Sequence, residues 1–237
     1  MALIKYGGGI VQMSGSIAGQ THARNRFGNY MRARTKPVNP RSERQAGARV
    51  TMMFLAEQWR EDPMDDAKRQ AWETYAKGVD WHNKLGEVVT LTGFNMFIRS
   101  NAAILRAGGT YVQDGPPDIG LPAGDPDFLA TAAKAGTQQI TYVFNAGLGW
   151  NTEDGGYLSI DIGEPQNPTR NYFGGPWRFE RTIAGVDPGG IASPLASVPF
   201  LSWTLVAGQK IWIRATIIRK DGRVSNKFEC DPIIVAA

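Results

Sequence analysis

Apolar and polar positions alternate in several short stretches of the C-terminal half of the chain, and this two-residue period predicts β-strands. Further strands are predicted at 177–183, around Phe228 and at 233–235. The dipeptide Asp221-Gly222 separates two of the stretches and is typical of a hairpin turn. The clearest strands, with their apolar faces, are 139–144 (Ile140, Tyr142 and Phe144), 157–162 (Leu158, Ile160 and Ile162) and 211–218 (Ile211, Ile213, Ala215 and Ile217).

Residues 40–110 instead show the longer period of amphipathic helices, and three helices are predicted there. Gly78 and the pair Gly108-Gly109 mark the ends of the second and third helices. The predicted helix starts and buried faces are Asn39-Pro40 with Val50, Met53, Phe54, Leu55 and Trp59; Asp65 or Asp66 with Trp72, Tyr75 and Ala76; and Thr92 with Phe94, Phe97, Ile98, Ala102 and Leu105.

These patterns divide the chain into four parts and predict the α+β fold class. Residues 1–39 have too few regularly spaced apolar residues for a core, and we expect an extended N-terminal arm that becomes ordered on a partner. Residues 40–110 form a small three-helix region. Residues 111–126, with four prolines and three glycines, are predicted to form a stiff linker. Residues 127–237 have the strand pattern of an antiparallel β-sandwich of the immunoglobulin or fibronectin type III kind.

Charge is distributed unevenly along the chain. Residues 1–49 hold nine Lys or Arg and one acid, a balance of +8, whereas residues 50–237 hold 17 bases and 21 acids, a balance of −4. In an extended arm, Arg24 and Arg26 would share one face and could form bidentate bonds to carboxylates. Arg32 and Arg34 would likewise share one face and could form bidentate bonds to carboxylates. The predicted partner-binding residues are Arg24, Arg26, Phe27, Tyr30, Arg32, Arg34 and Lys36.

The sequence contains no recognisable catalytic, cofactor or metal-binding pattern, and we predict that the protein is not an enzyme and needs no cofactor. The two histidines, His22 and His82, lack neighbouring residues with metal-ligand spacing. The single cysteine, Cys230, excludes an intramolecular disulfide and a multi-cysteine zinc site, and we expect it to be a small buried residue.

The acidic pairs of the C-terminal part fit solvated turns. Asp125 with Asp127 and the pair Glu153-Asp154 lie in turn-like sequence, and the turn at 151–156 has a calcium site as its alternative interpretation. No apolar run approaches the roughly 20 residues that a membrane-spanning helix needs, so we expect no membrane partner.

Several sequence patterns follow one another in a particular order. The basic run R-N-R-x-G-x-Y-x-R-x-R-T-K-P-V-N-P occupies residues 24–40 and precedes a helix pattern that contains Trp59. The patterns D-A-x-R-x-A-W and T-G-F-x-x-F-x-x-x-N follow at residues 66–72 and 92–101. In this order they resemble a group of virion proteins of tailed bacteriophages and prophages. The resemblance covers about residues 14–106 and implies a structural role in the virion, without implying any chemistry.

The leading functional hypothesis is therefore a phage virion structural protein, namely a capsid decoration or cement protein whose basic arm binds the capsid lattice. Its partners would be the major capsid protein or other virion proteins, and it would form a homo-oligomer, for example a trimer, in a virion assembled in the host cytoplasm. One alternative is a tail, baseplate or head–tail connector component. A further alternative is a nucleic-acid-binding protein that uses the arm, although the −4 balance of residues 50–237 would repel phosphates.

Overall fold

The computed structural model describes residues 2–61, 64–196 and 203–237. In these residues the protein is a mixed α+β protein with three helices and several antiparallel sheets. The predicted α+β class is confirmed.

The N-terminal residues fold into a small sheet instead of the single extended arm that the sequence predicted. A two-residue loop, Ala18-Gly19, joins the second and third strands, and Gly19 takes a positive φ of 81° that favours glycine. None of residues 2–40 is buried, so this sheet has no core of its own. The described strands of this N-terminal sheet, paired in the order β1-β4-β3-β2, are β1 (Ala2–Leu3), β2 (Gly15–Ile17), β3 (Gln20–Asn25) and β4 (Gly28–Ala33).

The helices of the described chain are α1 (Glu43–Arg60), α2 (Asp66–Lys77) and α3 (Gly93–Arg106). Each begins after a residue whose side chain accepts a hydrogen bond from the backbone N–H three residues later, and these caps are Ser42, Asp65 and Thr92. The predicted caps of α2 and α3 are confirmed. The predicted start of α1 at Asn39-Pro40 is wrong, because Ser42 provides the capping oxygen.

The three helices share one core that contains most of the predicted apolar positions. Buried residues of this core come from all three helices: Leu55, Trp72, Tyr75, Ala76, Met96, Phe97 and Ile98. Phe54 and Trp59 pack against it while remaining partly exposed. Val50 and Met53, however, are 59% and 58% exposed, so the predicted buried face of α1 is wrong at these two positions.

The segments between the helices and the C-terminal sheets also pack against the body. A short hairpin of β5 (Trp81–His82) and β6 (Val88–Val89) follows α2. Residues 111–126, expected to be a stiff linker, lie along the helices: the Trp72 indole N–H donates to the carbonyl of Gln113 at 2.8 Å, and Asn101 bonds both backbone groups of Val112. Because of these contacts the segment is a packed connection and not a free spacer.

The C-terminal strands form antiparallel sheets around a second core. Among the described strands, one sheet has the order β10-β9-β13-β14 and another the order β11-β8-β7, while β12 pairs with β15. The strands are β7 (Leu129–Lys134), β8 (Gln139–Val143), β9 (Tyr157–Gly163), β10 (Trp177–Ala184), β11 (Leu195–Ala196), β12 (Lys210–Ile211), β13 (Ile213–Ile218), β14 (Phe228–Glu229) and β15 (Ile233–Ile234).

The three apolar faces predicted from the alternation pattern all lie in this core. Ile140, Leu158, Ile160, Ile162 and Ile211 have no exposed surface. The predicted strand 211–218 is interrupted at residue 212 and is split into β12 and β13. A third, smaller cluster made by Ile104, Ile218 and Val224 joins α3 to the hairpin that follows β13. The helical region and the C-terminal sheets are therefore in direct contact.

Candidate interaction surfaces

The predicted partner-binding residues all lie in or next to the N-terminal sheet. Tyr30 is half-buried and Phe27 is 39% exposed. The basic residues of the set, Arg24, Arg26, Arg32, Arg34 and Lys36, are exposed, and within the described residues none of them forms an ion pair.

The strand register separates these basic residues instead of aligning them. Arg24 lies opposite Asn29 and Arg32 lies opposite Thr21. Because side chains alternate between the two faces of a strand, and Thr21 and Arg24 are three positions apart, Arg24 and Arg32 project from opposite faces. Arg26 lies in the turn after β3, where its guanidinium donates to the carbonyl of Thr90 at 3.3 Å. These guanidiniums therefore do not form a single row on one face of the sheet.

The face that carries Arg24 is partly occupied by the protein itself. His22 shares this face with Arg24, and its Nδ1 lies 3.0 Å from the hydroxyl of Tyr6. The opposite face carries Tyr30 and Arg32. His22 is thus engaged with a tyrosine of the loop that follows β1.

Contacts to the β5–β6 hairpin hold the N-terminal sheet on the body. Lys5 forms an ion pair of 2.6 Å with Glu87, and the side-chain amide of Asn83 donates to the carbonyl of Phe27 at 3.1 Å. The hydrogen bonds from Lys5 and then Asn83 lower the pKa of the Glu87 carboxyl below its ordinary value. These contacts are exposed and polar, so they attach the N-terminal sheet only weakly to the body.

A second surface, which we call the basic cleft, lies between the helices and the C-terminal sheets. It has a volume of about 950 Å³, and its walls come from α1, α3 and β10 together with the loop at 224–227. Its basic lining residues are Arg44, Arg99, Arg106, Arg178 and Lys227. Among the described residues that line it, none is acidic.

A buried carboxylate, Asp161 of β9, balances part of this positive charge. Its side chain is only 5% exposed, and Arg214 donates to Oδ2 from both Nε and Nη2 at 3.1 and 3.0 Å. Arg106 and Lys227, which line the basic cleft, lie at 3.4 and 3.3 Å from the same carboxylate. Three cations surround one anion, so this group keeps an excess positive charge beside the cleft.

Aromatic rings next to the basic cleft are covered on one face by guanidinium groups. Arg106 lies 5.0 Å from the ring centre of Phe179, Arg214 lies 4.3 Å from that of Trp177, and Arg99 lies 5.0 Å from that of Trp81. Arg99 also donates to the carbonyls of residues 224 and 225 at 2.8 and 2.9 Å. Burial lowers the pKa of this guanidinium. The rings and guanidiniums fix one another in place.

In each acidic pair predicted to be solvated, one residue is exposed as expected (Asp127 and Asp154), whereas the other is buried in structural bonds. Glu153 is 8% exposed, and both its oxygens bond the guanidinium of Arg219, at 2.6 and 3.0 Å. Asp125 is 5% exposed and accepts hydrogen bonds from the backbone of Asp127 and Asn145. In the part of the chain that the structure describes, no group of three or more potential metal ligands occurs, so the calcium alternative for the turn at 151–156 has no support.

Cys230 is partly buried next to the main C-terminal core. Its Sγ lies 3.7 Å from the carbonyl oxygen of Ile213. Burial raises the pKa of its thiol, which favours the neutral form. The expectation of a small buried residue therefore holds only in part, because Cys230 is partly exposed.

Comparison with known proteins leaves the chain without a matching relative: no family model, no curated protein and no solved structure matches it. None of the described helices combines the length and apolar character needed to cross a membrane.

The basic cleft could not be recognised from the sequence, because its residues come from six separate parts of the chain. Asp161 lies on the polar side of the alternating segment 157–162, where a solvent-facing residue is expected, so it did not indicate the cleft. In the structure β9 is buried on both faces, and an aspartate in such a strand requires a partner. The identity of that partner depends on the pairing of β9 with β13, which places Arg214 directly opposite Asp161.

Proposed function

We propose that the protein is a structural component of a phage virion, a capsid decoration protein that docks on the capsid lattice through its N-terminal sheet. The observation that supports this function is the sheet itself. It is paired and ordered, yet none of residues 2–40 is buried. Small sheets with no covered apolar face are marginal in water, so a partner surface is expected to complete this one.

The apolar residues around the sheet support docking on a protein. Val11 and Val38 are 91% and 87% exposed, and Ile17 is 56% exposed. Together with the exposed arginines they provide the mixture of apolar and charge-assisted contacts that protein interfaces use. A duplex nucleic acid would use the arginines but would leave these aliphatic side chains in water.

The C-terminal part is proposed to be an immunoglobulin-like or fibronectin type III-like module that projects from the particle or mediates self-association. Two antiparallel sheets that contribute to one shared core support this interpretation. The resemblance of residues 14–106 to phage virion proteins supports the assignment to a virion.

The test is co-sedimentation with capsids of its own phage assembled without this protein. The wild-type chain is expected to sediment with the capsids and not with sheared DNA at physiological salt. A variant with Arg24, Arg26, Arg32 and Arg34 all changed to Ala is expected to keep its circular dichroism spectrum and remain in the supernatant. Normal incorporation of that variant would overturn the docking role of the sheet.

The remaining outcomes separate the alternatives. Sedimentation with DNA alone, lost steeply with added salt, would assign the chain to the genome instead. Sedimentation with neither would remove the capsid from the proposal and favour a tail, baseplate or connector protein.

A further inference from the structure

We infer that the basic cleft is a second binding site, and that its occupant is an extended acidic segment of a partner protein that alternates carboxylate and aliphatic side chains. The cleft is formed by residues of the body and not of the N-terminal sheet. The inference therefore stands independently of the proposed function.

The positive charge of the cleft favours an occupant with negative charge. Five basic residues line it and none of its described lining residues is acidic. Asp161 neutralises one positive charge, but Arg106, Arg214 and Lys227 all surround that single carboxylate. The side chains of Arg106 and Lys227 are 40% and 50% exposed, so both can donate hydrogen bonds to a further carboxylate.

The walls between the cations are aliphatic, which favours a peptide over a simple anion. Met52 on α1 is 48% exposed, and Ala48, Ala102 and Leu105 also line the cleft. A volume of about 950 Å³ lies at the upper end for small-molecule sites and suits several residues of an extended chain. A purely inorganic anion would leave this apolar surface in contact with water.

The aromatic residues argue against single-stranded nucleic acid. Proteins that bind single strands place bases on exposed aromatic faces. Here Trp81, Trp177 and Phe179 each have one face covered by a guanidinium, at 5.0, 4.3 and 5.0 Å. The rings hold the arginines in position, and Arg106, whose side chain is 40% exposed, can donate to a ligand.

The experiment is a fluorescence-anisotropy titration with a labelled peptide of alternating Glu and Leu. We expect binding to the full chain that weakens as salt rises, and no binding of the same peptide with Gln in place of Glu. The cleft variant is Arg44→Gln combined with Lys227→Gln. It removes two exposed charges and leaves the ion pairs of Asp161 with Arg106 and Arg214 intact. Its affinity is expected to fall about tenfold.

The matched control removes the same net charge from exposed positions outside both surfaces, through Lys77→Gln combined with Lys134→Gln. This control is expected to bind the peptide as the wild type does. A separate variant, Met52→Gln, is expected to weaken the Glu-Leu peptide more than a peptide of alternating Glu and Gly.

Three results would overturn the inference. They are an absence of binding by the wild-type chain, an equal loss in the cleft and control variants, and tighter binding of a thymidine oligonucleotide of matched charge. Because the peptide assay contains no capsids, its failure is distinguishable from failure of the proposed capsid docking.

Discussion

Arg24 and Arg32 lie on opposite faces of the N-terminal sheet, because Arg24 is paired with Asn29 and Arg32 with Thr21. A flat partner can therefore contact only one of them. The hydroxyl of Tyr6 bonds His22 on the Arg24 face, whereas Tyr30 and Arg32 share the other face. Charge reversal on one face at a time can therefore identify the docking side, and we expect it to be the face of Tyr30 and Arg32.

Reversing the charge of one face at a time should reveal the docking side. Arg32→Glu is expected to weaken capsid binding at least about tenfold, because it puts a carboxylate into the proposed interface. Arg24→Glu changes the net charge equally and is expected to have a much smaller effect. Quantitative co-sedimentation measures both. A larger loss for Arg24→Glu would place the interface on the opposite face.

The attachment of the N-terminal sheet should weaken in acid. The pKa of Glu87 is lowered from its ordinary value near 4.5, so its ion pair with Lys5 stabilises the attachment above that value. The contribution is lost as the pH falls through the lowered pKa. Amide hydrogen exchange in β3 and β4, corrected for intrinsic rates, is expected to become faster in this range.

The variant Glu87→Gln should reproduce the acid effect at neutral pH. It is expected to increase tryptic cleavage after the arginines of the N-terminal sheet. Glu229→Gln, an exposed change on β14, is the matched control and should leave cleavage unchanged. Equal cleavage of all three proteins would show that Lys5 and Glu87 do not hold the sheet.

The local parts of the fold were predictable because they depend on neighbours in sequence. The alternation of Leu158, Ile160 and Ile162 identified β9 and its buried face, and the hydroxyl of Thr92 identified the start of α3. The N-terminal strands were not found, since their exposed residues show no alternation. Strand pairing there depends on hydrogen bonds and on the tight turn at Gly19, and the hydrophobic pattern does not indicate this pairing.

Surfaces formed by distant residues were beyond the reach of the sequence pattern. The predicted docking residues Arg24, Arg26, Phe27, Tyr30 and Arg32 lie on one hairpin, because β3 and β4 pair side by side. The strand register that separates Arg24 from Arg32 could not be predicted without knowing the turn. Lys227 and Arg106 meet Asp161 only after the sheet and α3 have packed, so composition alone gave no indication of the basic cleft.

Removing the buried carboxylate of Asp161 should destabilise the fold. Asp161→Asn leaves Arg214, whose side chain is 17% exposed, without its anionic partner. We expect a loss of about 2 to 4 kcal/mol in the free energy of unfolding, measured by urea denaturation. Asp114→Asn, on an exposed residue, should change it by less than about 0.5 kcal/mol. Similar midpoints for the two variants would show that Asp161 is dispensable.

A glycine at the contact between the two cores provides the last prediction. Gly222 has a φ of 92° in the turn after β13, and a Cβ built there would lie 3.2 Å from the Trp72 ring of α2. Gly222→Ala therefore combines an unfavourable backbone conformation with a tight contact, and we expect it to cost about 2 to 3 kcal/mol.

Gly208 separates the two causes of that loss. Its φ of 82° is similar, but no atom lies within 4 Å of a Cβ built on it. Gly208→Ala is expected to cost about 1 kcal/mol, from the backbone conformation alone. Urea denaturation of both variants gives the difference, which measures the contact between the hairpin and the helical core. Equal losses would mean that Trp72 moves aside freely and that the two cores are only loosely coupled at this turn.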